Sequence, residues 1–243
     1  MTAPGGDARH LGAGEPAFGP WQVLPLAGLL ARILGVAGAP AGRPRLVALD
    51  GRGAAGKTTL ATGLRRLVPR SAVVHTDDLA WHEPLFGWGD LLADGVLRPL
   101  QDGQALAYRP PQWERRGRAG SIEVPAGLDL VLVEGTGASQ REHTGLLDAT
   151  VWVQADLVEA ERRGIARDIA QGVNGDAVET VAFWQHWMAA ELEFLARQRP
   201  WERACAVVHG TPLGTLPPGH VEVADVNDAR VRNVGPGGPP VDP

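Results

Sequence analysis

The chain has 243 residues, 44% of them hydrophobic, which is enough for one α/β domain with its own core and short tails. Its formal net charge is −5 at pH 7, whereas proteins that bind nucleic acid through phosphate contacts usually carry a basic face. The composition therefore excludes that class of partner and favours a small-molecule substrate. The single cysteine, Cys205, excludes an internal disulfide and is typical of a small buried residue.

The first residues, "MTAPGGDARHLGAGEP", lack the apolar core of a signal peptide. The most hydrophobic stretch, "VLPLAGLLARILGVAGA", is interrupted by Arg32 and is shorter than a membrane span of about 20 residues. We therefore expect a cytoplasmic protein without a membrane partner. The sequence leaves open whether it forms a homo-oligomer.

Both ends of the chain are rich in glycine and proline, which predicts flexible tails over residues 1–20 and 217–243 around a folded domain over 21–216. Apolar residues at helical spacing after Pro25 predict an amphipathic helix at the start of the domain. Short Val- and Leu-rich runs then alternate with helical segments; the predicted strands are "RLVALD", "SAVVHT", "LDLVLVEG", "DATVWVQA" and "ACAVVHG". This alternation predicts an α/β fold with a central five-stranded parallel sheet and ligands beyond its carboxyl edge.

Two long helices are predicted between the fourth and fifth strands. Asp156 with Glu159, and Asp176 with Glu179, each have the spacing of a capping acid followed three residues later by glutamate. The long segment 79–127 carries mixed signals, and its elements are not predicted.

The segment "GRGAAGKT" at residues 51–58 satisfies the pattern G-x-x-x-x-G-K-[ST] in full, between an apolar strand and a leucine-faced helix. Glycines let the backbone curl so that successive N–H groups point at phosphate oxygens. We expect Lys57 to reach the β- and γ-phosphates as a catalytic group, and the Thr58 hydroxyl to ligate Mg²⁺. The predicted nucleotide-binding residues of this loop are Gly51, Arg52, Gly53, Ala54, Ala55, Gly56, Lys57, Thr58 and Thr59.

Charged residues follow the other predicted strands. The sequence contains neither the N-K-x-D of a switch GTPase nor the L-S-G-G-Q of an ABC-type ATPase, but Asp77 and Asp78 end the second strand. A kinase of a small alcohol needs such a carboxylate to align or deprotonate the acceptor hydroxyl. Glu134 ends the third strand and could hold Mg²⁺ directly or through water. Helix caps and a buried structural glutamate are the alternative interpretations.

Arg163 and Arg167 lie four residues apart and share one helix face. This spacing predicts a helical lid over about residues 160–176, whose guanidinium groups close on the phosphates. A solvated basic face is the alternative interpretation.

Together these segments resemble the uridine kinase / phosphoribulokinase superfamily of P-loop kinases, which includes nicotinamide riboside kinases. The resemblance covers about residues 45–212 and rests on "GRGAAGKTT", "HTDDL", "VLVEGTGA", "RRGIARD" and "AVVHGTP" in the family's order. It implies a P-loop NTPase three-layer sandwich with a helical lid, ATP or sometimes GTP as the phosphate donor, and Mg²⁺. By position it implies a catalytic base at Asp77, a Mg²⁺ ligand at Glu134, catalytic lid arginines at Arg163 and Arg167, and an adenine pocket lined by Thr211 and Pro212.

The acceptor side departs from the family pattern. "FGWGDLL" places Gly89 after Trp88 and moves the acid to Asp90, and "YRPPQWERR" has Gln112 where an aspartate is expected. Uridine itself is therefore doubtful as the acceptor. Tryptophans could stack a flat ring, although they could equally form the core of the insertion. The predicted acceptor-binding residues are Asp78, Trp88, Asp90, Tyr108, Trp113 and Arg141.

We expect an ATP- and Mg²⁺-dependent kinase of a small hydroxylated molecule, first of all a nucleoside-like one. A kinase of an antibiotic, sugar or vitamin precursor is the second hypothesis. A nucleotide-binding regulatory protein without turnover is the third. The histidines lack metal-ligand spacing, so no zinc site is predicted.

Overall fold

Strands and helices alternate through residues 10–212 and 214–226, which the computed structural model describes. In chain order the strands are β1 (Gln22–Pro25), β2 (Arg45–Gly51), β3 (Ser71–His75), β4 (Leu106–Tyr108), β5 (Ile122–Val124), β6 (Leu130–Glu134), β7 (Ala149–Gln154), β8 (Ala206–His209) and β9 (His220–Ala224). The helices are α1 (Leu26–Ala37), α2 (Lys57–Leu67), α3 (Thr76–Ala80), α4 (Gly89–Leu92), α5 (Arg98–Gln101), α6 (Pro111–Arg115), α7 (Leu157–Gln171) and α8 (Ala177–Gln198).

Seven strands form the main sheet, in the order β1-β9-β8-β7-β2-β6-β3. The five strands from β8 to β3 are parallel, as the sequence predicts, and most of their residues are buried. Their Val- and Leu-rich composition follows from that burial, since helices cover both faces of a parallel sheet. Because β2 lies between β6 and β7, the loop after β2 opens onto the crevice at the carboxyl edge.

The sheet extends beyond the five predicted strands. β1 and β9 pair antiparallel with each other, and β9 pairs antiparallel with β8, so the two add an edge to the parallel core. β9 falls within the predicted C-terminal tail. This strand has only five residues and lies among prolines and glycines, so the sequence pattern did not predict it. On the other side, Glu15 and Phe18 of the predicted N-terminal tail are buried. Residues 1–9 and 227–243 of the predicted tails lie outside the described residues.

Two hydrophobic layers enclose the parallel strands. On one face α1 and α2 pack against the sheet through Leu29, Leu30, Ile33, Leu60 and Leu64. On the other face the core comes from the segment whose elements the sequence did not predict, through Leu79, Trp88, Leu92, Val96, Leu97, Leu100 and Trp113. The helices of this segment have only four or five residues each, too few to establish a helical period, although a π-helical turn, Ala93–Leu97, joins α4 to α5.

The helix pair α7 and α8 begins at the predicted capping acids. Asp156 accepts a hydrogen bond from the Glu159 backbone N–H at 2.9 Å, and Asp176 forms a complete capping box with Glu179. In the described ranges, no helix has both the length and the apolar character needed to cross a bilayer.

Two helix-interior glycines provide a test of how α7 and α8 pack. A Cβ at Gly164 of α7 would lie 2.0 Å from the Trp184 ring of α8, whereas a Cβ at Gly35 of α1 would meet nothing within 4 Å. We expect Gly164→Ala to lower the free energy of unfolding by about 1–3 kcal/mol through overpacking. Gly35→Ala should raise it by about 0.5–1 kcal/mol. Equal effects of the two changes in denaturant titrations would contradict this packing.

Candidate active site

The loop between β2 and α2 is tightly curled. Its backbone enters the left-handed region at Ala54, with φ of 57°, and at Gly56, with φ of 96°. Such turns direct successive N–H groups to one side, and the N-terminus of α2 adds the positive end of its dipole. Thr58 and Thr59 are exposed in the first turn of that helix. The geometry is that of an anion-binding loop built from main-chain groups.

Arg52 turns its side chain away from the surface of this loop. Its guanidinium is 1% exposed, donates to Glu15 Oε2 at 2.7 Å and lies 3.6 Å from Glu191 Oε2. Only the main-chain atoms of Arg52 are therefore available for the nucleotide-binding role that the sequence predicts.

Lys57 is folded back onto the loop that precedes it. Its Nζ donates to the carbonyl oxygens of Gly51 at 2.9 Å and Arg52 at 2.6 Å, and lies 3.3 Å from Thr136 Oγ1. Main-chain carbonyls thus hold the ammonium group in place without neutralising its charge. The positive charge of Lys57 is retained at the carboxyl edge of β2.

Thr58 and Glu134, the two predicted magnesium ligands, are in direct contact. The Thr58 hydroxyl donates to Glu134 Oε1 at 2.9 Å, and His75 Nδ1 lies 2.6 Å from the same oxygen. Burial favours a higher pKa for Glu134, but the His75 and Thr58 hydrogen bonds and the Lys57 charge outweigh it, so the pKa is lowered. An ionised carboxylate beside a hydroxyl suits Mg²⁺, which usually takes one or two protein oxygens and completes its shell with phosphate and water.

No group of three or more His, Cys, Asp or Glu suited to holding a metal ion occurs in the described part of the chain. A metal held at Thr58 and Glu134 would therefore depend on the nucleotide for its remaining ligands.

Asp77 is the second residue of α3, which begins directly after β3, so its carboxyl lies near the same edge of the sheet. The residue is exposed to solvent, but protein atoms packed around the carboxyl raise its pKa by desolvation. The charges of Lys57 and Arg167 oppose that rise, while that of Glu134 adds to it. These mutual effects mean that the predicted base, the loop lysine and a lid arginine share one electrostatic environment.

Asp78 and Trp113, predicted to bind the acceptor, instead contact each other. Asp78 Oδ1 accepts a hydrogen bond from Arg118 at 2.5 Å, and the Asp78 carbonyl accepts one from Trp113 Nε1 at 2.9 Å. The Arg118 guanidinium carbon lies 3.6 Å from the ring centre of Trp113 and 5.2 Å from that of Trp81. This arrangement ties α3 to the segment around α6, and both side chains are already engaged in it.

The predicted lid arginines have different surroundings. Arg163 donates to Glu159 at 2.7 Å and to the Gly210 carbonyl at 3.0 Å, so it ties α7 to the end of β8. Arg167 is half-exposed and pairs with Asp168 at 2.8 Å, while its charge acts on Asp77. Of the two arginines, Arg167 is the one whose charge acts on the predicted base.

Thr211 and Pro212 follow β8, as the resemblance requires. The Thr211 hydroxyl accepts a hydrogen bond from the Asp156 backbone N–H at 3.0 Å, so the turn after β8 contacts the start of α7. These two residues therefore lie beside the lid helix, next to the Gly210 carbonyl that Arg163 binds.

The remaining predicted acceptor residues are dispersed. Trp88 is 2% exposed and belongs to the core under the insertion, and Asp90 is exposed in the first turn of α4. Tyr108 is half-buried against Gly95, with its pKa raised by desolvation. Arg141 donates to Glu202 at 3.3 Å, at the far end of α8. Their roles in acceptor binding stay predictions.

Sequence reasoning missed two residues of α8 that lie against the loop, Trp187 and Glu191, and one residue of the insertion, Phe86, that packs on α8. Glu191 Oε1 accepts the Gly53 N–H at 2.7 Å, and Trp187 Nε1 would lie 3.1 Å from a Cβ at Gly53. Phe86 has φ of 60° and stacks on Phe194, with ring centres 4.1 Å apart. Glu191 interrupts the apolar stripe formed by Trp184, Met188 and Leu195. An acid on a buried helix face was the signal in the sequence that could have identified Glu191.

The comparisons with known proteins support the fold. No protein-family model matches the chain, and no curated protein matches it significantly. The structure is similar to that of a protein assigned as a fructose transport system kinase from Silicibacter sp. TM1040, with a TM-score of 0.54, 22% identity, and 74% of this chain and 96% of the other covered. It is also similar to D-glycerate 3-kinase from Cryptococcus neoformans var. grubii, with a TM-score of 0.54, 14% identity, and 79% and 98% covered. The predicted α/β fold, with a central parallel sheet flanked by helices, is confirmed and is shared with these two structures.

The contact between His75 and Glu134 predicts a pH-dependent stability. The hydrogen bond to Glu134 raises the pKa of His75 above its ordinary value of 6.5, against desolvation. The protonated imidazole therefore stabilises the fold below 6.5, and the contribution is lost as the pH rises through the raised value. The difference in unfolding free energy between the natural chain and His75→Asn should shrink from pH ~6 to pH ~9.

The partner of His75 supplies the control for this prediction. In a Glu134→Gln background the same His75 substitution should lose most of its pH dependence, because the carboxylate that contributes most to the raised pKa is gone, while Asp77 and Asp78 still raise it. A difference that keeps its size across the range in the natural background would refute the prediction.

Proposed function

We propose that the protein is an ATP- and Mg²⁺-dependent kinase that transfers the γ-phosphoryl group to a hydroxyl of a small molecule. The observation that carries this proposal is that Lys57, the Thr58–Glu134 pair and Asp77 gather where β2, β6 and β3 end. A phosphoryl-transfer site needs these four groups: a cation for the phosphates, two metal ligands and a carboxylate for the acceptor. The fold, shared with kinases, is consistent with the same activity.

In the proposed reaction, the acceptor oxygen forms a bond to the γ-phosphorus, and the bond from that phosphorus to the β–γ bridging oxygen breaks. ADP leaves, and the acceptor proton goes to the Asp77 carboxylate. A raised pKa suits that step, because a carboxyl group with a very low pKa is a poor proton acceptor. Lys57 and Arg167 offset the charge that spreads over the transferred oxygens.

Thr58 and Glu134 would hold Mg²⁺, which would supply positive charge to offset that of the phosphates. Glu134 suits this role because its lowered pKa keeps it ionised. Main-chain N–H groups of residues 54 and 56–58 would bind the phosphate oxygens, and the Lys57 ammonium, held by the loop carbonyls, would add its positive charge.

The acceptor class is the open part of the proposal. The resemblance favours a nucleoside-like molecule, but Trp113 and Asp78 are engaged with each other and with Arg118. This engagement favours the alternative, a small alcohol such as a sugar or hydroxy acid, which requires no ring stacking. The names of the two similar structures, a fructose transport system kinase and a D-glycerate 3-kinase, agree with that alternative.

A change at the predicted base tests the transfer step. Asp77→Asn should lower kcat by about 10²–10⁴-fold, because the amide cannot take the hydroxyl proton. ATP affinity, measured separately by calorimetry, should stay within a few-fold. Asp94→Asn is the matched control, since Asp94 is exposed and pairs with Arg98 on the surface of the insertion. Unchanged turnover in the Asp77 variant would reject the assignment.

A panel of acceptors distinguishes the substrate classes. Nucleosides, sugars, hydroxy acids and other alcohols are each incubated with ATP·Mg²⁺, and ADP release is measured. Turnover confined to nucleosides supports the nucleoside-like reading, and turnover with small alcohols alone supports the alternative. Tight ATP binding with no acceptor consumed, even from a cell extract, would favour a nucleotide-binding regulatory protein.

A further inference from the structure

Glu191 lies in an environment that is costly for a carboxyl group. It sits on the buried face of α8 and is 0% exposed, and burial raises its pKa against the Gly53 amide and the charges of Arg52 and Lys57. An acid buried in this way destabilises the fold unless other groups compensate for its lost hydration. Its contacts should therefore indicate what it does.

Three donors approach the same oxygen of Glu191. The Gly53 N–H donates to Oε1 at 2.7 Å, with Trp187 Nε1 at 3.3 Å and Thr136 Oγ1 at 3.5 Å. The short contact is the one to the phosphate loop. Gly53 allows it because a side chain there would meet Trp184 and Trp187.

The Arg52 guanidinium lies next to this carboxyl group. It is 3.6 Å from Glu191 Oε2 and bonds Glu15 at 2.7 Å. Three segments distant in sequence, around Glu15, the loop and α8, are therefore joined in one buried cluster of charges.

The peptide group between Arg52 and Gly53 connects Glu191 to Lys57. In a trans peptide the N–H and the C=O point in opposite directions from one rigid plane. Here the N–H of that plane donates to Glu191, and its C=O accepts the Lys57 Nζ at 2.6 Å. Fixing the N–H therefore fixes the direction of the carbonyl that holds the lysine.

We propose that Glu191 is a positioning residue for Lys57: it holds the Arg52–Gly53 peptide so that the loop presents its lysine in the geometry that receives a triphosphate. The inference rests on the ATP-binding part of the proposed function. The positioning role requires an oxygen that accepts the Gly53 N–H hydrogen bond at the length of the Glu191 side chain. A carboxyl group offers such an oxygen in either protonation state. A shorter side chain should fail even if it keeps the charge.

The test separates the effect of side-chain length at position 191 from the effect of its charge. Glu191→Gln keeps an oxygen at the same distance, whereas Glu191→Asp keeps the charge but withdraws it by about 1.5 Å. Calorimetry with ATP·Mg²⁺ and no acceptor should show ATP binding at least ~10-fold weaker for Asp and for Glu191→Leu, and a clearly smaller loss for Gln. Glu193→Asp and Glu193→Gln are the matched controls, because Glu193 is 75% exposed on the same helix.

The outcomes separate this inference from the proposed function. If the Asp and Leu variants bind ATP like the natural chain, or if Gln loses more affinity than Asp, Glu191 does not position the loop through its oxygen. If Glu191→Leu does not fold, as far-UV circular dichroism would reveal, the order of Asp and Gln still decides. If the natural chain itself binds no ATP, the proposed function fails as well.

Discussion

The candidate site depends on one buried ammonium group held by the backbone that precedes it. Lys57 donates to two carbonyls of its own loop. Its charge lowers the pKa of Glu134 and opposes the rise at Asp77. Such a cation is worth most where water is scarce and the protein cannot reorganise around it. The fold must therefore keep the loop rigid on both sides.

Two buried acids supply that rigidity, and each acts on main-chain N–H groups. Asp50, at the end of β2, accepts the N–H groups of Gly137 and Ser139 at 2.8 and 2.9 Å and so fixes the turn after β6. That turn carries Thr136 to within 3.3 Å of the Lys57 Nζ. Glu191 acts from the opposite side through the Gly53 N–H. The loop is thus held between two carboxylates that face its edges rather than its anion-binding surface.

The parts of the site that local patterns specify were predictable, and the rest was not. The phosphate loop, the parallel strands and the acids that end them follow from short-range composition and spacing. The engagement of Asp78 with Arg118, the inward turn of Arg52 and the approach of Glu191 depend on residues 37 to 138 positions apart. The insertion was missed for a different reason: a π-helical turn interrupts the helical period over residues 89–101, and α3 and α6 have only five residues each.

The residues proposed to bind the nucleotide and those predicted to bind the phosphoryl acceptor differ in the same way. The groups proposed for the nucleotide lie on a parallel sheet and a regular helix, whose geometry the backbone hydrogen bonds fix. Most residues predicted to bind the acceptor lie on short elements of the insertion. In the same segment Phe86 has a φ of 60°, which is strained for an aromatic residue and is held by stacking on Phe194. Short elements tolerate changes of sequence that a parallel sheet does not. Acceptor specificity is therefore the property of this fold that sequence resemblance transfers least well.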